Sequence, residues 1–391
     1  MKPLSSILGR TTSTAPAGSP NTLTLRRSGL AQWIFSVCTF VNNVGHRQRL
    51  HPLLAGYCEK SGINFDEIRA GRMIGLRYER YVFRNFTGST PDALRIKTLG
   101  RFGNACFRIW NALIIAKALG IKTVVIPSHE IWKPANLAPA LDLRIMDESE
   151  FRRLPRQSVL DGDLLTTRPF RKVLSKLSLS DRRLIVKTYL EPCARAYACP
   201  VEMISPEDLV LHFRSGDIFG KPSKVHSAYL QPPLAYYQAC LQHHLQRHPG
   251  AGVHLVYEDR GNPCIQAMES HLDAIKVPWK SRSADLRSDL SFLMTATTIV
   301  WGVGTFGRGV ALCSEKLRGC YSFFNQPFDE AKPYQNQTYG FKLEESWAVY
   351  DEGRGYIRPG TWKNLPSQRA AMLGYAAGAL AIKENRPVAR A

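Results

Sequence analysis

A chain of 391 residues, 44% hydrophobic and 21% charged, has the composition of a soluble globular protein long enough for two domains. Its formal charge of +20 points to an anionic partner or substrate: nucleic acid, acidic membrane or a nucleotide-linked molecule. Nine cysteines without a C-x-x-C pair give no zinc site or disulfide framework, and no stretch reaches transmembrane length.

Residues 1–58 carry six Lys or Arg and no acid, and are rich in Ser and Thr through Asn21. That bias fits a basic leader, as an organellar transit peptide or as a tail resting on anionic lipid. The apolar run Leu30–Val41 is too short and interrupted for a span and reads as interfacial or poorly ordered. Cysteine usage points to a reducing compartment, so the expectation is a cytoplasmic protein, membrane-peripheral through residues 1–58, with a transit peptide as the alternative.

From Leu94 the pattern is strand, glycine loop, helix, glycine, strand. Leu94–Leu99 alternates, Gly100–Asn104 is the turn, and residues 105–119 are helix formers, apolar almost all round. Gly120 is a C′ stop and Lys122–Pro127 the next strand, which makes a βαβ unit. Residues 150–200 read as helical and basic, a solvated face, with Ser180-Asp181 capping a helix Arg182–Leu190. Pro192 and Pro200 break the pattern and place a domain boundary near 195–207.

A second α/β series follows. Leu209–Arg214 is a strand whose alternation puts His212 and Arg214 on one face at its C-terminal end. Pro232-Pro233 opens a helix to Arg247, Val253–Tyr257 is a strand ending in Glu258 and Asp259, residues 286–297 form a helix, and Thr298–Trp301 a strand. A loop over 302–307 leads into a helix Arg308–Leu317, Tyr321–Phe324 reads as core, and a terminal helix and tail follow Gln368.

Three loops share one geometry, strand end to small residues to helix start: Gly100–Asn104, Arg214–Asp217 and Gly304–Phe306. Helix starts present unpaired N–H groups and a positive dipole end, and glycine admits close approach, so each loop is either a phosphate cradle or a plain βα turn. Asn104 and Thr305 are candidates to cap a helix or bond a ligand. Arg214 is a fixed cation, Asp217 a turn cap, a partner of Arg214 or a group that acts in chemistry, and Asp259 a contact to base or ribose or simply a strand end. Aromatics are not interleaved with basic residues as single-strand readers need, so nucleic acid is not the expected partner.

Taken in order, these blocks resemble the GDP-fucose-dependent fucosyltransferase superfamily of α-1,2- and α-1,6-fucosyltransferases and protein O-fucosyltransferases. Gly100-Arg101-Phe102-Gly103-Asn104 is similar to its G-R-[FL]-G-N loop, and His212-Phe213-Arg214-Ser215-Gly216-Asp217 to its H-x-R-x-G-D element. Asp289–Met294 with Gly304-Thr305-Phe306 resembles its third block, and the likeness spans about 95–325. Ser215 stands where many relatives place a second arginine, Ala105 where glutamine is usual, and Gly304 where S-T-F has serine. The likeness therefore concerns the donor side and leaves acceptor and linkage open.

The resemblance implies an α/β, GT-B-like fold with two Rossmann-like domains facing a central cleft: leader 1–70, N-terminal domain 71–200, C-terminal domain 201–330 and extension 331–391. It implies inverting transfer of fucose from GDP-fucose to a glycan or glycoconjugate hydroxyl, without metal or other cofactor. Arg214, with Asp217, would be catalytic. His212, Arg101, Gly103, Asn104, Asp259, Gly304, Thr305 and Phe306 would bind the donor. The alternatives are another nucleotide sugar on the same fold, or a non-catalytic basic protein that binds polyanions.

Overall fold

The computed structural model describes residues 52–66, 81–135, 141–155, 157–222, 224–329 and 343–384. The leader as far as residue 51, including Leu30–Val41, lies outside the described residues. The chain divides into compact units Met1–Ala55 and Gly56–Ala391; in the first, residues 52–55 are helical, and the second holds both sheets.

The first sheet has the order β1(Val82–Arg84), β5(Val159–Gly162), β2(Ala93–Ile96), β3(Thr123–Ile126), β4(Arg144–Asp147). Only β1 runs antiparallel. From β4 inward the order 3-2-1-4 is that of a Rossmann half, and its switch point lies between β2 and β5. Helix α1(Phe102–Leu119) follows β2 and is buried through Ala116 except at Asn104 and Phe107. Its sequence is apolar all round because it is covered on two sides, by the first sheet and by a helix of the second half.

The second sheet has the order β12(Leu380–Glu384), β11(Glu345–Asp351), β10(Gly319–Phe324), β9(Thr298–Trp301), β6(Leu209–Phe213), β7(Val253–Tyr257), β8(Trp279–Arg282). From β8 inward this is 3-2-1-4-5-6, closed by an antiparallel seventh strand, with the switch point between β6 and β9. All five residues of β6 are buried, as expected of a parallel strand covered on both faces. Its helices are α2(Leu234–Arg247), α3(Pro263–Ala274), α4(Leu286–Leu293), α5(Phe306–Cys313) and α6(Pro366–Gly374). Leu211, Phe213, Tyr237, Met268 and Trp362 are among the residues of one core. The α/β class and the two Rossmann-like halves agree with the sequence reading.

The differences have local causes. The helix expected over Arg182–Leu190 begins at Leu179, because Ser178 rather than Ser180-Asp181 caps it, accepting from the Asp181 N–H at 3.1 Å. It continues through a π turn Val186–Leu190 into Glu191–Tyr197, since Pro192, which has no N–H to give, falls in the first turn after the widened ladder. The helix expected from Arg308 starts at Phe306, and the one over 286–297 ends at Leu293. The extension 331–391 supplies β11 and β12 to the second sheet, and after Gln368 the described residues hold the rest of the helix Pro366–Gly374 and then β12; residues 385–391, where a tail is expected, lie outside the described residues.

Candidate functional site

The turn after β6 is held from behind. Gly216 has φ +68, a left-handed conformation that favours glycine, and a Cβ there would meet the end of the Glu258 side chain and push it from its place. Asn262 donates from Nδ2 to the Arg214 carbonyl at 3.0 Å and from its backbone N–H to Ser215 Oγ at 3.1 Å. Asp259 accepts from the Ser215 hydroxyl, from Gly261 N at 2.7 Å and from Gly216 N at 3.3 Å. Burial raises the Asp259 carboxyl, and these bonds outweigh it, leaving the group below its usual value. Asp259 thus braces the turn through Oδ1, and it is not among the residues lining the cavity that holds the other candidates, where a base or ribose contact was expected of it.

Arg214 is aimed by two carboxylates. Its Nη1 donates to Glu258 Oε2 at 2.9 Å and its Nη2 to Asp217 Oδ1 at 2.5 Å. The other oxygen of Asp217 lies 3.7 Å from Arg101 Nη2, on the first half of the molecule. That outer pair is exposed and adds little stability, but it joins the halves across the site.

The starts of α1 and α5 lie against each other. A Cβ on Gly103 would stand 2.5 Å from the Thr305 carbonyl carbon, so the two backbones touch where glycine permits. Thr305 Oγ1 donates to Asn104 Oδ1 at 2.7 Å, so the expected caps bond to one another instead of to helix N–H groups. Neither helix start has a side-chain cap or an acid in its first turn. Two sets of unpaired N–H groups therefore stand side by side.

Behind α1, buried Arg108 donates from Nη1 to the Leu99 carbonyl and from Nε to Asp163 Oδ1, each at 2.5 Å. Asn111 donates to the Leu164 carbonyl at 2.8 Å. These bonds tie the loops after β2 and β5, the two sides of the first switch point. Leu164 sits there with φ +62, a left-handed conformation unusual for leucine.

The loops open on one cavity of about 680 Å3, within the range of small-molecule sites. Arg101, Gly103, Asn104, His212, Arg214, Asp217, Gly304, Thr305 and Phe306 all line it. The sequence reading missed His129, Glu130 and Tyr229 on the same wall, and gave Glu258 no role beside Arg214. Glu258 was findable as the residue directly after a buried strand; the others lie on loops without a motif. Burial, with the nearby Arg214 charge, pushes the His212 imidazole down to about 4, so it is neutral at pH 7. Its ring leans on Phe306 with centroids 5.0 Å apart, and its buried Nδ1 has no hydrogen-bond partner. Among the described residues no group of three or more His, Cys, Asp and Glu is placed to hold a metal ion, and no helix is long and apolar enough to cross a membrane.

No protein-family model and no curated protein sequence matches the chain. Among solved structures, a crystal structure of POFUT1 in complex with GDP is similar at 14% identity, covering 58% of this chain and 96% of that one, with a TM-score of 0.34. A universal stress protein from Archaeoglobus fulgidus is similar at 11% identity, over 57% and 89%, with a TM-score of 0.18.

Proposed function

We propose that this chain is an inverting glycosyltransferase that moves fucose from GDP-fucose to a hydroxyl of a glycan or glycoconjugate, without a cofactor or metal. One observation carries the reading: two uncapped helix starts, one from each Rossmann-like half, converge with Arg101 and Arg214 on a single cavity at the strand ends of β2 and of the second sheet's switch point. That arrangement suits a ligand with adjacent phosphates. The sugar and nucleotide identities rest on the ordered sequence blocks around Arg101, Arg214 and Thr305.

In this reading the helix starts hold the diphosphate and Arg214 meets the charge that grows on its leaving oxygen. A guanidinium has five N–H donors, and Glu258 and Asp217 engage two of those on Arg214, which leaves three for phosphate oxygens. The two carboxylates keep the cation aimed before the reaction, so reorganisation is small. His212, neutral, offers a ring nitrogen without adding charge. Cysteine usage and the basic leader support a cytoplasmic, membrane-peripheral enzyme.

The test is thermal shift with GDP, GDP-fucose, GDP-mannose and UDP-sugars, followed by GDP release from the donor. GDP at 100 times its Kd should stabilise the protein by about 2.7 kcal/mol. Arg214→Ala should keep the melting temperature of the unliganded protein and lose on the order of 10²–10³ in turnover. A melting temperature indifferent to GDP, together with steeply salt-dependent binding to polyanions, would move the protein to the binding class.

A further inference from the structure

The cavity wall carries four carboxylates, and three are committed to cations. Asp217 lies between Arg214 and Arg101, Glu258 bonds Arg214, and Asp289 accepts from Arg282 Nε at 3.0 Å and from the Ala284 N–H at 3.3 Å. The fourth, Glu130, has no ion pair among the described residues. Its hydrogen-bond partner is the Tyr197 hydroxyl, which donates to Oε2 at 3.3 Å.

The loop that carries Glu130 follows β3, at the same sheet end as the Gly100–Asn104 turn, and it is fixed on each side of the carboxylate. His129 Nδ1 accepts from the Ile131 N–H at 3.1 Å, and the His129 carbonyl accepts from Lys133 Nζ at 2.8 Å. Buried Trp132 stacks on Phe102 at the start of α1, centroids 6.0 Å apart. The Tyr189 hydroxyl donates to the Lys133 carbonyl at 2.8 Å. An exposed carboxylate on a rigid loop, in no ion pair among the described residues, takes a proton without weakening one. Asp217, bonded to Arg214 through Oδ1 and 3.7 Å from Arg101 through Oδ2, loses charge attraction to two cations when it takes a proton.

We infer that Glu130 is the general base of the transfer, an assignment that rests on the glycosyltransferase reading above. The acceptor O–H gives its proton to the Glu130 carboxylate as the acceptor oxygen bonds the anomeric carbon. The bond from that carbon to the diphosphate oxygen breaks, and its electron pair leaves on the diphosphate, beside Arg214. Glu130 later returns the proton to water. Asp217 then acts as a positioning residue for Arg214 and Arg101.

Water serves as the acceptor in the test. GDP release from GDP-fucose is followed at pH 7 for the full chain and for Glu130→Gln, Glu130→Asp and Asp217→Asn, with kcat, KM and GDP affinity measured alongside. Glu130→Gln should bind GDP within about twofold of wild type and lose a hundredfold or more in kcat. Glu130→Asp should recover part of that loss. Asp217→Asn should weaken GDP or donor affinity and keep more of kcat than Glu130→Gln does. Release by Glu130→Gln at the wild-type rate, or a larger loss of kcat in Asp217→Asn, would overturn the assignment. A wild-type protein that binds GDP but releases none from GDP-fucose also overturns it, whereas one that fails to bind GDP sinks the donor reading itself.

Discussion

His212 sits beside a permanent cation, and that shapes how the protein responds to acid. Burial first, and Arg214 second, lower its folded value to about 4 from the ordinary 6.5. The unfolded chain therefore takes up this proton before the folded one does. Stability from the neutral ring is complete above pH 6.5 and is lost as pH falls from there toward 4. At pH 5.5 the loss is roughly 1–2 kcal/mol, and on the order of 3 kcal/mol once both states are protonated. His244, buried with Nε2 2.8 Å from the Glu207 carbonyl, is also pushed down to about 4, by burial above all, and adds in the same direction. Urea unfolding of wild type and His212→Asn at pH 7.5 and 5.5 should show the variant losing 1–2 kcal/mol less over that interval. Parallel losses in the two proteins would show that the histidine is charged in the fold, and the electrostatics drawn for the cavity would have to be redrawn.

The contact between α1 and α5 is the element on which the site depends, because each supplies one helix start. Gly103 permits it: with a Cβ 2.5 Å from the Thr305 carbonyl carbon, Gly103→Ala must push two backbones apart. Overpacking of that kind costs about 1–3 kcal/mol. The melting temperature should fall and the GDP-induced shift shrink, while Gly374→Ala, with nothing within 4 Å of its Cβ, leaves both near wild type. Loss of stability with an undiminished GDP shift would separate this contact from the site. The elements around it differ in how far they could be read. β6, β7 and β9 were legible because buried parallel strands are short apolar runs closed by polar residues. β5 was not, since its sequence VLDG holds a buried acid. Asp161 is fully buried there and accepts from Arg84 and Arg95, the latter at 2.7 and 2.9 Å, which compensates the charge through residues far apart in sequence. β8 reads WKSR, half-exposed at a sheet edge, and lacks an apolar run. The three glycine loops of the site were legible because each has its own local pattern. Glu130 and His129 were not, because only the parallel pairing of β3 with β2 brings their loop to the cavity.

At the scale of the whole molecule, the last forty residues of the fold support the turn that carries Arg214. β11 pairs with β10 over six residues, and β12 covers its other edge. Between these two strands the chain crosses to the segment after β6. Trp362, fully buried, donates from Nε1 to the Ile218 carbonyl at 2.9 Å, and Asn364 Nδ2 bonds the Phe219 carbonyl at 2.7 Å. The Tyr356 hydroxyl donates to the Gln231 carbonyl at 2.7 Å. The bonds from Trp362 and Asn364 hold the short helix Gly216–Phe219 that directly follows Arg214-Ser215. A chain ending at residue 342 would lose them all, expose one edge of β10 and strip Trp347, Val349 and Trp362 from the core. An open, apolar strand edge invites pairing with other chains. The shortened protein should be recovered aggregated, without a cooperative melt, in size-exclusion and circular-dichroism measurements. Trp362→Ala is the graded version: truncating a buried tryptophan costs about 3–5 kcal/mol, and the loss of the bond to Ile218 should also weaken GDP affinity. A soluble, cooperatively melting chain of 342 residues with the full GDP response would make the segment an appendage, and Arg214 would then owe its aim to Glu258 and Asp217 alone.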